Sequence, residues 1–559
     1  MIELPESPAA FADATLEQVQ PLYEDLSRRR LEGDEAVERW LADWSRLDSL
    51  LGEAATKASI AYTTDTADAE KERRHLAFRN LMPQVQPLRV QLQRKLVESG
   101  YSRPDLATTV RRMANEIDLF RDESVPLVQE EGRLAAAYQK RTASMTVEWE
   151  GEAKTIPQLK PFLYSSDRSV REKAFRLSTG QYVEARDELA DIYDRQFELR
   201  SKIAANAGFE SFRDYAHRQK NRFDYSVDDC MSFHTAVEAA VAPALRRARD
   251  RRRAEMGLDS LRPWDLTPDP EGKPPLTGYR DQKDMIDKAQ RVFDAIDPAV
   301  AGYWDVMNES DMLDLVSRAG KAPGGYCTSL PFSKLPFIFV NGAGIAEDVR
   351  VVLHEAGHAF HSLRADELPL IWQRFPGSEM AEVASMSMEL LSLPYMDSFF
   401  SEEESKRWLR DQMEHILRLL CHICAVDAQQ HWTFTHPAGA DREAREANWL
   451  HLRERFDPGV DWSGLRNERV SQYYSQLHFF QVPFYYIEYG IAQLGALQVW
   501  RNALKDQPGA VEAYLRALAL GGTAPLPELF AAAGARLMFD AEGMQELVDL
   551  MEQQIAASL

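Results

Sequence analysis

The chain has 559 residues, 45% of them hydrophobic and 10% aromatic, enough to bury two or more cores and too apolar for a disordered polymer. Its 88 acidic against 66 basic residues leave a formal charge of -22, which argues against a nucleic-acid partner and against an anionic membrane surface. Four cysteines (Cys230, Cys327, Cys421, Cys424) make no disulfide framework, Met1 to Glu6 carries no secretory signal and no apolar run reaches the length of a membrane span, so a cytoplasmic protein is expected.

In chain order, the first 200 residues read as long helices. Thr15-Leu16-Glu17-Gln18 resembles a capping box, and Trp40, Trp44, Leu47 and Leu51 recur as one apolar stripe. Thr63 to Asp68 predicts a break between helices. Val147 and Trp149 alternate with polar neighbours around Glu150-Gly151, which predicts a small hairpin. Helical pattern then resumes as far as the Pro-rich run 261–275, read as an ordered loop. Tyr326 to Leu330 and Phe337 to Val340 read as short strands bounded by Pro331 and Pro336. Gly342-Ala343-Gly344 lacks the context of a nucleotide-binding loop.

Val352 to His361 contains His354-Glu355-Ala356-Gly357-His358 in an amphipathic helical pattern. Positions four apart share a helix face, so both imidazoles can reach one metal ion. Glu355 stands beside the first of them, where its carboxylate can take a proton from an attacking water. Catalytic zinc usually takes three protein ligands. His361 lies about 10 Å along the axis from His354, too far to be the third on a straight helix. The better source is the helical segment 378–391, where Glu379, Glu382, Met386 and Glu389 share a face. Glu382 is the expected third ligand and Glu379 the fallback, while Glu389 is either a hydrogen-bond partner of a ligand histidine or a plain surface carboxylate. Cys421 and Cys424 lack a second pair and read as buried thiols. Between 470 and 502 the chain is dense in aromatics. If this region is helical, His478, Val482, Tyr485 or Tyr486 and Tyr489 fall on one side, either as core or as donors to a developing oxyanion.

H-E-A-G-H-A-F-H followed by A-E-V-A-S resembles the zinc peptidases of the oligoendopeptidase F and thimet oligopeptidase group. The resemblance extends to Lys321 to Cys327, Pro336 to Asn341, Val426 to Trp432, His478-Phe479 and Pro483 to Tyr489, covering roughly 200–540 well and the first 200 residues loosely. It implies a mostly α-helical, zincin-type peptidase with small β elements and two helical lobes around a deep channel. An N-terminal helical lobe (1–195) would precede a catalytic metallopeptidase domain (196–559). One Zn2+ per chain would be held by His354, His358 and Glu382, with Glu355 as general base. Tyr489 first, Tyr486 second and His478 as their companion would stabilise the oxyanion. Short unfolded oligopeptides would be the substrates, and an exposed strand edge of the 326–340 region would hold their backbone, where the residues alone allow an ordinary core hairpin equally well. Two other readings remain. A zinc carboxypeptidase would need a basic residue for the terminal carboxylate, and a non-catalytic helical peptide-binding protein would not need the intact Glu355.

Overall fold

The computed structural model describes residues 2–558; Met1, at the head of the acidic N-terminal stretch, and Leu559 lie outside the described residues. About 70% of the chain is helical, and no helix among the described residues is long and apolar enough to cross a membrane. The chain forms two compact units, each assembled from three segments. Unit one comprises Met1–Asp118, Leu276–Ser405 and Ala492–Leu537; unit two comprises Leu119–Pro275, Lys406–Ile491 and Met538–Leu559. The expected division after residue 195 falls inside the helix Arg186–Asn206, which contains no glycine or proline to break it.

In unit one, α1 (Asp34–Thr64) and α2 (Ala69–Ser99) share an apolar core with the helix Leu16–Arg28. Trp40, Trp44, Leu47 and Leu51 of the predicted stripe are all buried in it. The Gln18 side chain accepts from the Thr15 amide at 3.2 Å, as the capping reading expects. The predicted break holds because Asp68 caps α2, its Oδ1 accepting from the amides of Glu70 at 2.9 Å and Lys71 at 3.1 Å.

The sheet of unit one has three strands: β1 (Leu313–Val316), β2 (Gly325–Leu330) and β3 (Leu335–Gly342). Central β3 pairs parallel with β1 and antiparallel with β2, leaving β2 at an edge. Lys321 ties the sheet together: its buried ammonium donates to Asp314 Oδ1 at 2.7 Å and to the carbonyls of Val316 at 2.9 Å and Val340 at 2.8 Å. Against the sheet packs α3 (Ala346–Ala365), followed by α4 (Ser378–Leu391).

In unit two, Thr146–Trp149 and Glu152–Thr155 form the expected hairpin. Glu150 and Gly151 both have positive φ (54° and 85°), as a two-residue turn of the right twist requires. The Pro-rich segment is an ordered loop, because buried Asp265 accepts from Arg168 at 2.7 Å and Arg171 at 3.0 Å. Cys421 and Cys424 are buried on α5 (Glu402–Thr435), and the helix α6 (Tyr486–Ala503) follows the aromatic stretch.

Candidate functional site

The start of α3 is fixed by Asp348, whose Oδ2 accepts from the amides of Gly344 at 2.8 Å and Ile345 at 3.0 Å and from the Tyr279 hydroxyl at 2.7 Å. A carboxylate in the first helical turn also complements the helix dipole. About two and three turns further, α3 presents His354 and His358 on one face. α4 brings Glu382 against them, with its Oε2 3.4 Å from His354 Nε2 and 3.6 Å from His358 Nε2. Among the described residues this is the one group of three or more His, Cys, Asp or Glu side chains whose ligand atoms all lie within 4.8 Å of one another.

The geometry fits a tetrahedral ion. Ligands held about 2.0–2.1 Å from zinc at tetrahedral angles are about 3.4 Å apart. The surrounding hydrogen bonds orient the rings in the required sense. His354 Nδ1 lies 2.7 Å from Glu389 Oε1, which leaves Nε2 facing Glu382. His358 is hydrogen-bonded to the backbone of Ala381, and the Ser385 hydroxyl donates to Glu382 Oε2 at 3.1 Å. Such partners fix the tautomer and heading of a ligand.

Electrostatics sort the groups further. Burial alone would raise the Glu382 carboxyl, but the two imidazoles outweigh it and hold the pKa at about 2, so an anion faces the ring nitrogens. Burial pushes His358 down to about 4, leaving a neutral ring with a free lone pair at neutral pH. For His354, burial opposes the protonated form, yet Glu382 and Glu389 prevail and raise its pKa well above the ordinary value. Glu355 is buried beside the group and burial lifts its pKa to about 7, suited to accepting and returning a proton near neutrality.

Glu379 and His361 are buried but stand outside the group. Among the described residues His361 Nε2 finds no hydrogen-bond partner, and burial drives its pKa to about 3.

Three contributors carry no residue-type signature of metal chemistry. The Cys327 amide on β2 hydrogen-bonds the Glu355 carboxylate. The Ala381 backbone orients His358. Gly357, between the two histidines, lets α4 approach: a Cβ there would stand 2.6 Å from both Ala384 O and Ser385 Cα. The invariable use of glycine at such a close approach would be the signal for the last of these; backbone groups leave none.

His478, Tyr486 and Tyr489 come together in unit two. The His478 ring centroid is 4.4 Å from that of Tyr486 and 6.3 Å from that of Tyr489, and Tyr485 is 5.1 Å from Tyr489. They are not one helical stripe. Pro483 interrupts the helix, so the cluster forms where the short helix Leu477–Gln481 is followed by a turn into α6, and Val482 is left exposed. That turn is clamped. Buried Phe484 sits at φ 58°, its amide donates to Gln430 Oε1 at 2.7 Å, and its carbonyl accepts from Arg222, which also pairs with Glu488 at 2.8 Å. Burial and the neighbouring Lys220 lower His478 to about 4, and burial raises the Tyr486 phenol to about 12.

The model of peptidase family M3 matches residues 162–549, and that of the peptidase M3 N-terminal domain matches residues 7–123. The chain is similar to the solved structure of PZ peptidase A with inhibitor 2, at 28% identity and a TM-score of 0.91 over 97% of this chain and 98% of that one. It is also similar to a Bacillus anthracis structure assigned as an oligoendopeptidase F, at 26% identity and a TM-score of 0.85 over 97% and 96% of the two chains. An oligoendopeptidase F homolog of Borreliella burgdorferi is 20% identical over 379 residues, 65% of this chain, and the match spans 61% of that relative's length. With one family model covering more than half of its length, the chain belongs to peptidase family M3.

Proposed function

We propose that this family M3 peptidase is a zinc-dependent endopeptidase acting on short, unfolded oligopeptides. The observation that carries the reading is the convergence of His354 Nε2, His358 Nε2 and Glu382 Oε2 beside a buried Glu355. These three side chains would hold one Zn2+. When bound, the ion supplies a water of lowered pKa and polarises the scissile carbonyl. Glu355 takes the water proton as attack proceeds and then delivers it to the leaving amine.

The edge of β2 is suited to hold the substrate backbone. Gly324 O accepts from Asn341 N and Leu330 O accepts from Lys334 N, so by the alternation of an antiparallel ladder Gly325, Cys327 and Ser329 direct their amides and carbonyls away from β3. An extended peptide can add along that side without its side chains being read. Tyr489, assisted by Tyr486 and His478, is assigned the oxyanion contact on the family resemblance, supported by their clustering. Four free thiols suit a cytoplasmic setting.

Quenched fluorescent peptides with both ends blocked test the reading. The wild type should cleave them internally and stop when a chelator removes the metal. Glu355→Gln should retain zinc and lose about 100-fold or more in kcat; full activity in that variant would remove the proposed base.

A further inference from the structure

A cavity of about 670 Å3 in unit one is lined by α1, α2 and β2, a volume in the range of small-ligand sites. It adjoins the candidate centre through β2: Tyr326, Cys327 and Thr328 line it, and the Cys327 amide is the one that contacts Glu355. Its helical wall is tied to β2 and within itself. The Thr63 hydroxyl is hydrogen-bonded to the Tyr326 hydroxyl at 2.6 Å, and the Tyr62 ring stacks on His75 at 4.8 Å.

The charge of this lining is unlike that of the chain. Acidic residues outnumber basic ones 88 to 66 overall, yet no carboxylate lines the cavity and its single formal charge is Arg79. Arg79 is exposed and makes no ion pair among the described residues. The positions three and four away from it on α2 are His75, Leu76, Met82 and Pro83, none acidic. By contrast Arg73, Arg74 and Arg89 of the same helix are each paired with a carboxylate. An unpaired guanidinium at a cavity beside an open strand edge is a receptor for an anion that arrives with the substrate.

We propose that this cavity is a substrate subsite that receives a carboxylate of the bound peptide, with Arg79 as its specificity-determining cation and His75 as a hydrogen-bonding neighbour. The carboxylate is an Asp or Glu side chain or the end of the chain; both present the same chemistry to Arg79. The inference rests on the peptidase reading for its substrate, and the test separates the two.

Three sets of peptides of about ten residues discriminate the sources: Glu at one scanned position with an amidated end, Gln at that position with an amidated end, and Gln with a free terminal carboxylate. Affinity is read by fluorescence anisotropy on Glu355→Gln protein, and kcat/KM on the wild type. With native Arg79, a carboxylate-bearing set should bind about fivefold more tightly than the neutral set, the scale of one solvent-accessible ion pair. Preference within the Glu set places the subsite on an internal residue, and preference for the free end makes it a terminal-carboxylate pocket. Arg79→Ala should abolish the preference, Arg79→Lys should restore part of it, and Arg79→Glu should turn it against acidic peptides. Equal affinity for all three sets, or a preference that survives Arg79→Glu, would overturn the subsite. Uniform cleavage of all sets removes the subsite while the peptidase reading stands. An Arg79-dependent preference in binding with no cleavage by the wild type leaves the carboxylate site standing and removes the peptidase reading.

Discussion

At the scale of single residues, the proposed centre depends on the partners that hold its candidate ligands as much as on those side chains themselves. Glu389 hydrogen-bonds His354 Nδ1 at 2.7 Å and thereby aims Nε2 at Glu382. Glu389→Ala should weaken zinc binding by about 10- to 100-fold, measured by competition with a chromophoric chelator. Glu382→Ala should weaken it further; unchanged metal content there would move the ligand role to Glu379. Tyr489→Phe should lower kcat by about 100-fold with zinc content intact, the cost of one oxyanion donor, and an unaltered kcat would return Tyr489 to a packing role. His354, Glu355 and His358 are legible in the sequence because helical spacing is a local property that fixes which side chains share a face. Glu382 shares one face of α4 with Glu379 and Glu389, so the helical pattern alone does not choose it; the family resemblance does. The Cys327 amide and the Ala381 backbone were not legible, since any residue could supply them, and neither was Arg79, whose meaning lies in the carboxylates that fail to surround it.

At the scale of elements, the site is a contact between two helices, and Gly357 sets their separation. In Gly357→Ala the new methyl would meet Ala384 O and Ser385 Cα at 2.6 Å, both backbone atoms that cannot swing aside. α4 must back away, at a cost of about 1–3 kcal/mol, and carries Glu382 with it. The variant should therefore lose zinc affinity together with thermal stability. Leu47→Ala, in the α1 core, should lower the melting temperature without weakening zinc binding; equal zinc loss in both would mean that stability alone is being read. The long helices, the 146–155 hairpin and the two strands β2 and β3 were legible from periodicity and turn residues. β1 was not, because four residues give too short an alternation to register, and its parallel pairing to β3 is a tertiary contact. The aromatic cluster misled in another way: helical spacing suggested one continuous face, whereas Pro483 breaks the helix and Phe484 turns the chain.

At the scale of the whole molecule, the chain visits its two units alternately, so no single boundary in the sequence separates them. Each unit encloses titratable groups, and these set its response to acid. In unit two, burial lowers His217 to about 4, His422 to about 3 and His478 to about 4. In the unfolded chain each titrates near 6.5, so between that pH and the folded values the unfolded state binds more protons and stability falls as pH falls. His217 and His478 each contribute on the order of 3 kcal/mol at most and His422 on the order of 5, fully present above about 6.5 and lost as pH drops through about 4 and about 3 respectively. Acid is therefore the net destabiliser of this unit, and His234, which burial also lowers, adds to it. Thermal unfolding followed from pH 7.5 to 4.5 should show a plateau above about 6.5 and a steady decline below it. His422→Gln, which removes one titrating group while keeping an amide to meet Gln476, should make that decline shallower. A melting temperature that is flat across this range, or equally steep in the variant, would mean that these imidazoles are already protonated in the folded chain.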